Sequence, residues 1–143
     1  MPYSTDEDLF DRLSEDQVRR LTDEDGTGQV DEQLTARLRT EAMQYIDARL
    51  RGRYDLPLAE PTPAILKQIE VSLLAAKLYS RRANLETPGG IRAQEKDALA
   101  DLKMIGRGEI DLGVEAGDDE SGSGSYRALT EDATLNDQMA GRY

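Results

Sequence analysis

Between residues 34 and 50 the apolar side chains Leu34, Leu38, Ala42, Tyr45, Ile46 and Leu50 recur at spacings of three and four. That rhythm places one apolar stripe on a helix beginning at Asp31. Arg37, Arg39, Glu41, Asp47, Arg49 and Arg51 fall on the opposite face, and Gly52 ends the run. Tyr54-Asp55-Leu56-Pro57-Leu58 then reads as extended, because a residue before proline avoids the helical region. Thr62-Pro63 opens a second long helix over roughly 63–82, and Val71-Ser72-Leu73-Leu74-Ala75-Ala76 makes it the most apolar segment, a central core helix. Thr87-Pro88 opens a third over roughly 88–105, with Ile91, Ala98, Leu99, Leu102 and Ile105 as its stripe. Gly106-Arg107-Gly108 stops it, and the alternation in Glu109-Ile110-Asp111-Leu112 predicts a short strand near 109–112.

The first thirty residues carry two helix-start signals. Ser4-Thr5-Asp6-Glu7 and Ser14-Glu15-Asp16-Gln17 both have the capping-box form, each followed by apolar residues. They predict short helices over roughly 5–12 and 15–21. The fold class is therefore mainly α: a small bundle of about four to five helices over 1–113. Beyond Gly113 the acidic Gly/Ser stretch Glu115–Ser125 cannot bury a core, so 114–143 reads as a linker and extended C-terminal arm that is disordered or ordered on a partner.

Between the second and third predicted helices lies Asp23-Glu24-Asp25-Gly26-Thr27-Gly28-Gln29-Val30-Asp31. It has the oxygen spacing of an EF-hand calcium loop, with Asp23, Asp25, Thr27, Gln29 and Asp31 at the first five ligand positions and Gly28 at the turn. The bidentate Glu that should close the shell is replaced by Leu34, which starts the apolar stripe of the long helix. The loop is thus a degenerate EF-hand whose five oxygen-bearing residues are weak metal candidates only. Asp and Gly in turns, and Asp31 as a helix start, account for the same letters.

Composition narrows the chemistry. The chain has no histidine and no cysteine, which removes the commonest general base, thiol catalysis and Cys-based metal sites. No phosphate-binding glycine loop is present, so no enzyme activity and no cofactor are expected. No run of 18 apolar residues occurs, so nothing is expected to span a membrane, and the acidic N-terminus is unlike a signal peptide. The net charge is −11, from 29 acids against 18 bases, and the acidic excess is concentrated at the two ends around a near-neutral middle. A duplex-DNA binder would show the reverse balance.

Two groups of residues stand out as contact candidates. Arg49, Arg51, Arg53, Arg81 and Arg82 cluster at helix ends, where they serve the helix dipole or meet an acidic neighbouring copy. In the arm, Tyr126, Leu129, Leu135 and Met139 are the apolar anchors for a partner.

Several motifs then fall in order: Met1-Pro2-Tyr3 with following acids; Leu21-Thr22-Asp23-x-Asp25-Gly26-x-Gly28-x-Val30-Asp31; Ala48-x-Leu50-x-Gly52-Arg53-Tyr54-x-Leu56-Pro57-Leu58; Leu78-Tyr79-x-Arg81-Arg82; and Ile105-x-x-Gly108-x-Ile110-x-Leu112-Gly113. Together they resemble the Mu-like phage family of head–tail connector (neck adaptor) proteins over about residues 1–113. The resemblance implies a structural protein of the virion neck, made in the bacterial host cytoplasm. Such proteins form a ring, typically a dodecamer, between the portal protein and a stopper or tail-terminator neck protein. DNA passes through the channel without specific binding. The competing readings are a weak calcium-binding EF-hand-like interaction module and a DNA-mimicking acidic protein.

Overall fold

The structure, a computed structural model, describes residues 2–114. It contains five helices in the order α1 (Asp6–Arg12), α2 (Glu15–Thr22), α3 (Glu32–Leu50), α4 (Ala64–Ser80) and α5 (Gly89–Gly106). Helix α4 packs against all four others, and α3 also packs against α5. Eleven of its seventeen residues are buried, which is why its sequence is apolar nearly all round rather than striped.

Around α4 the core forms two connected halves. Leu9, Val18, Leu21, Leu34 and Leu38 close on the Val71–Tyr79 half of α4. Ala42, Ile46, Leu50, Tyr54, Leu102 and Ile105 close on the Leu66–Leu73 half. Thus α1 and α2 cover one end of α4, while the later parts of α3 and α5 cover the other. Helix α3 buries Thr35 and Arg39 as well as Leu34, Leu38, Ala42, Ile46 and Leu50, a wider arc than its apolar stripe. Tyr45 and Leu99, both assigned to stripes by spacing, are instead exposed at 39% and 36%. Tyr45 carries the Arg49 guanidinium 3.8 Å from its ring centroid.

Two helix starts match the sequence expectation, and the caps of the other three lie one residue later. At α1 the capping box is made by Thr5 and Asp8, one residue later than Ser4 and Glu7. Ser4 is drawn away because it is buried against Glu70. Ser14 caps α2 through Gln17 N–H, and Asp31 caps α3 through Leu34 N–H at 3.1 Å. Neither Thr62 nor Thr87 caps a helix; Pro63 and Pro88 occupy the cap positions with extended ψ and no side-chain bond.

No strand forms at 109–112; among the described residues there are only helices and irregular segments. The N–H groups of Glu109 and Ile110 both donate to Met104 O at the end of α5, at 2.8 and 3.3 Å. Leu112 N–H donates to Tyr54 Oη at 3.3 Å, and Leu112 is buried. The alternation thus serves to dock Leu112 on the core, and the backbone donors a sheet would need are already satisfied. Gly108 makes this return possible. Its φ is +83°, and a Cβ there would lie 2.5 Å from an Arg53 guanidinium nitrogen.

Two expected outcomes follow from this packing. Leu66→Ala, at a site with no solvent exposure, will cost about 2–5 kcal/mol in urea unfolding, while Leu99→Ala will cost under about 0.5 kcal/mol. Gly108→Ala and Gly26→Ala will each destabilise by about 1 kcal/mol, because both have positive φ and the Arg53 guanidinium beside Gly108 is the end of a flexible side chain that can swing aside. Unchanged unfolding midpoints in both variants would contradict the left-handed turns assigned to these glycines.

Candidate interaction site

Glu70 is the one acid in the apolar half-turn Ile69-Glu70-Val71, and it is completely buried. Its carboxylate is the anchor of the N-terminal strap. Tyr3 N–H donates to both carboxylate oxygens at 3.1 Å, Ser4 N–H donates to Oε1 at 2.8 Å, and the Ser4 hydroxyl donates to the same oxygen. Arg39, also buried, donates from Nε to Ser4 Oγ at 3.3 Å and from Nη1 to Asp6 Oδ1 at 2.8 Å. The Tyr3 hydroxyl donates to Asp47 on α3. Tyr3 and Ser4, and Asp6 at the start of α1, are thereby tied to α3 and α4.

Burial pushes the Glu70 carboxyl above its ordinary value of 4.5, against the Ser4 and Tyr3 donors and the Arg39 charge, which pull it down. Burial, then the bond to Asp47, raises the Tyr3 phenol. A buried carboxylate that takes three donors from the strap is a structural acceptor, and its role is to fix the strap.

The acidic loop is organised by its own backbone. Asp23 accepts from Thr27 N–H and Gly28 N–H at 2.8 and 2.7 Å, and from the Thr27 hydroxyl at 3.1 Å. The Gly28 and Thr27 donors hold the Asp23 carboxyl below its ordinary value of 3.8. Thr27 in turn accepts from Gln29 N–H at 3.3 Å. Asp31 caps α3, and its N–H donates to the buried Thr22 hydroxyl at 3.0 Å. Asp25 and Gln29 are exposed. Among the described residues no three acidic side chains converge on a common point. Gly28, at φ +80°, does make the predicted turn.

The five arginines divide between the two ends of the bundle. At the α4 C-terminus, Arg81 ion-pairs with Glu24 of the acidic loop. Arg82 Nη1 donates to the C-terminal carbonyls of Arg20 and Leu21 at 3.1 and 3.3 Å, satisfying orphan acceptors of α2. Arg49 and Arg51 are exposed at the end of α3, and Arg53 lies against Gly108. The antiparallel run of α3 and α4 puts these groups about 25 Å apart. Tyr126, Leu129, Leu135 and Met139 lie outside the described residues. Glu70 and Arg39 were missed by sequence reasoning. The signal for Glu70 was a lone acid inside the most apolar helix, a position an acid holds only when satisfied.

A protein family described as Bacteriophage Mu, Gp36 matches the chain over residues 3–129. The match runs past residue 113 into the arm, taking in Tyr126 and Leu129 and leaving out Leu135 and Met139. No curated protein matches the chain.

Ser4→Ala removes one donor, the hydroxyl, from the buried carboxylate and the acceptor of Arg39 Nε–H, and will cost about 1–3 kcal/mol in denaturant unfolding. The pH dependence has two opposing parts. The raised Glu70 value means its contribution is complete below about 4.5 and is lost as pH rises through the native value, so Glu70→Gln will flatten the decline in thermal midpoint above that point. The lowered Asp23 value has the opposite sign: its contribution is complete above 3.8 and is lost as pH falls through the native value. Asp23→Asn will therefore flatten the acid side of the profile. Unchanged profiles in both variants would contradict these assignments.

Proposed function

The chain belongs to the bacteriophage Mu Gp36 family, and on that premise we propose that it is a head–tail adaptor of a tailed-phage neck. It is a structural protein, not an enzyme. It forms a ring between the portal protein and the tail-side stopper or terminator, around the DNA channel. The observation that carries this reading is the family match over residues 3–129, which spans the whole five-helix bundle and part of the arm.

The physical features support an adaptor. The conspicuous polar groups are engaged in holding the chain's own segments: Glu70 and Arg39 the N-terminal strap, Arg82 the end of α2. What the fold offers outward is contact surface. Arg49 and Arg51 at the end of α3 are exposed, and the α1 first turn of an adjacent copy is strongly acidic. A head-to-tail contact of that kind closes into a ring if its rotation closes. A net charge of −11 suits a channel wall, where repulsion keeps duplex DNA sliding. No helix among the described residues is long and apolar enough to cross a membrane. Residues 114–143 supply the arm that docks on the portal or a neighbouring subunit, with Tyr126, Leu129, Leu135 and Met139 as its apolar anchors.

Mixing the full chain with purified portal rings will give a co-eluting complex in size-exclusion chromatography. Deleting 114–143 will weaken that complex while leaving the helical circular-dichroism signal and cooperative melting of the bundle intact. Full-strength assembly by the deleted chain would remove the role given to the arm. Absence of any complex with the portal would count against the adaptor itself.

A further inference from the structure

Helices α3 and α5 both run antiparallel to α4, so they lie parallel to each other where they pack together. One close approach fixes their register: a Cβ at Gly106 would lie 3.3 Å from Arg49 O. On α5, Arg92, Lys96, Leu99, Lys103 and Gly106 recur at spacings of four and three, which puts them on the side turned to α3. On α3, Arg37, Glu41, Tyr45 and Arg49 stand four apart and form the neighbouring row. Among the described residues three large apolar side chains are exposed, and two of them, Tyr45 and Leu99, border this seam. Arg37, Arg49, Arg92, Lys96 and Lys103 are exposed on the same face, and among the described residues none of them makes an ion pair. The acids here are Glu41, ion-paired with Lys77 of α4, and Glu95. An exposed tyrosine under a guanidinium, an exposed leucine and a rim of unneutralised bases make up a protein contact surface.

We infer that this α3–α5 face receives helix α1 of a second copy of the chain. Charge complementarity selects the partner. Asp6, Glu7, Asp8 and Asp11 make α1 the most acidic helix, and Glu7 and Asp11, one turn apart, are exposed with no ion pair among the described residues. Within its own chain α1 packs on α4, with Asp8 reaching Lys67 and Arg12 donating to Ser72. Its outer row of Glu7 and Asp11 is therefore left for another molecule, with the half-buried Phe10 beside it as an apolar edge. In the contact those two acids meet Arg49 and Lys103, and Phe10 meets Tyr45 and Leu99. The two surfaces differ, so each copy keeps one of each kind for its next neighbour, and the contact is head-to-tail. Duplex DNA is the other polyanion a basic face could take, but a net charge of −11 opposes it and the apolar pair on the seam has no use in it. The inference rests on the head-to-tail contact proposed above and gives that contact its two faces.

The test takes the full chain as an equal mixture of nitrogen-15-labelled and unlabelled protein, with a carbodiimide that joins carboxylates to lysine amines. Cross-linked peptides joining α1 to Lys96 or Lys103 will carry mixed labels, which only a contact between copies produces. Arg49→Glu will lower their yield about fivefold or more, because it sets like charges against each other. Adding Glu7→Arg will restore the yield, with Asp11 left as the coupling carboxylate; a merely structural role for Arg49 would show no such rescue. Absence of mixed-label links between α1 and α5, a yield indifferent to Arg49→Glu, or failure of the rescue would each overturn the inference. So would a gel shift of duplex DNA that Arg49→Glu abolishes, since the face would then belong to phosphates. Co-elution with portal rings separates this contact from the neck reading. A portal complex without the cross-links sinks the contact and leaves the adaptor, whereas cross-links without a portal complex sink the adaptor and support the contact.

Discussion

The fold depends on one buried charge. Helix α4 is the element every other helix packs on, and in its middle sits Glu70 with no access to solvent. A carboxylate in that position is tolerable only if donors surround it. The chain supplies them from its own N-terminus, two backbone N–H groups and a hydroxyl from Tyr3 and Ser4. That requirement pulls Ser4 into the core and half-buries Tyr3, brings Arg39 in behind Ser4, and shifts the start of α1 to Thr5. A segment that composition alone would leave as an acidic flexible end becomes a strap across α3 and α4.

Much of the architecture was legible in the sequence, and the misses share a cause. Five helices were readable because apolar spacing and start signals agree for each of them. Asp31 and Leu34 were readable together: the aspartate caps the helix whose first apolar residue displaces the closing calcium ligand. What periodicity could not supply was tertiary pairing. Arg39 fell on the polar face by spacing, yet it is buried with Thr35 beside the stripe, where Ser4 and Asp6 of the strap take its donors. Ser4 looked like a cap until Glu70 claimed it. The 109–112 alternation looked like a strand, but a strand needs a partner, and Met104 and Tyr54 took its donors instead. Each miss is a residue whose place is set by a group more than thirty positions away or by a helix end, not by its own neighbours.

The same tension shapes the functional surface. Of the arginines that looked like intersubunit contacts, Arg81 and Arg82 are occupied inside the chain, closing the acidic loop and the end of α2 onto α4. The outward-facing candidates are therefore concentrated at the other end of the bundle, around Arg49 and Arg51. This gives the molecule two unlike ends: one sealed by its own ion pairs, the other exposed beside the point where the chain leaves Leu112 for the arm. An adaptor between two different partners has use for that asymmetry.

The central claim, a neck adaptor, is tested most directly by a cryo-EM map of the phage neck with this protein in place. The account predicts a ring of five-helix bundles directly beneath the portal, with an acidic channel wall and the arm reaching the portal or an adjacent subunit. A neck whose density between portal and tail cannot hold this fold, or a ring whose channel wall is basic, would contradict it.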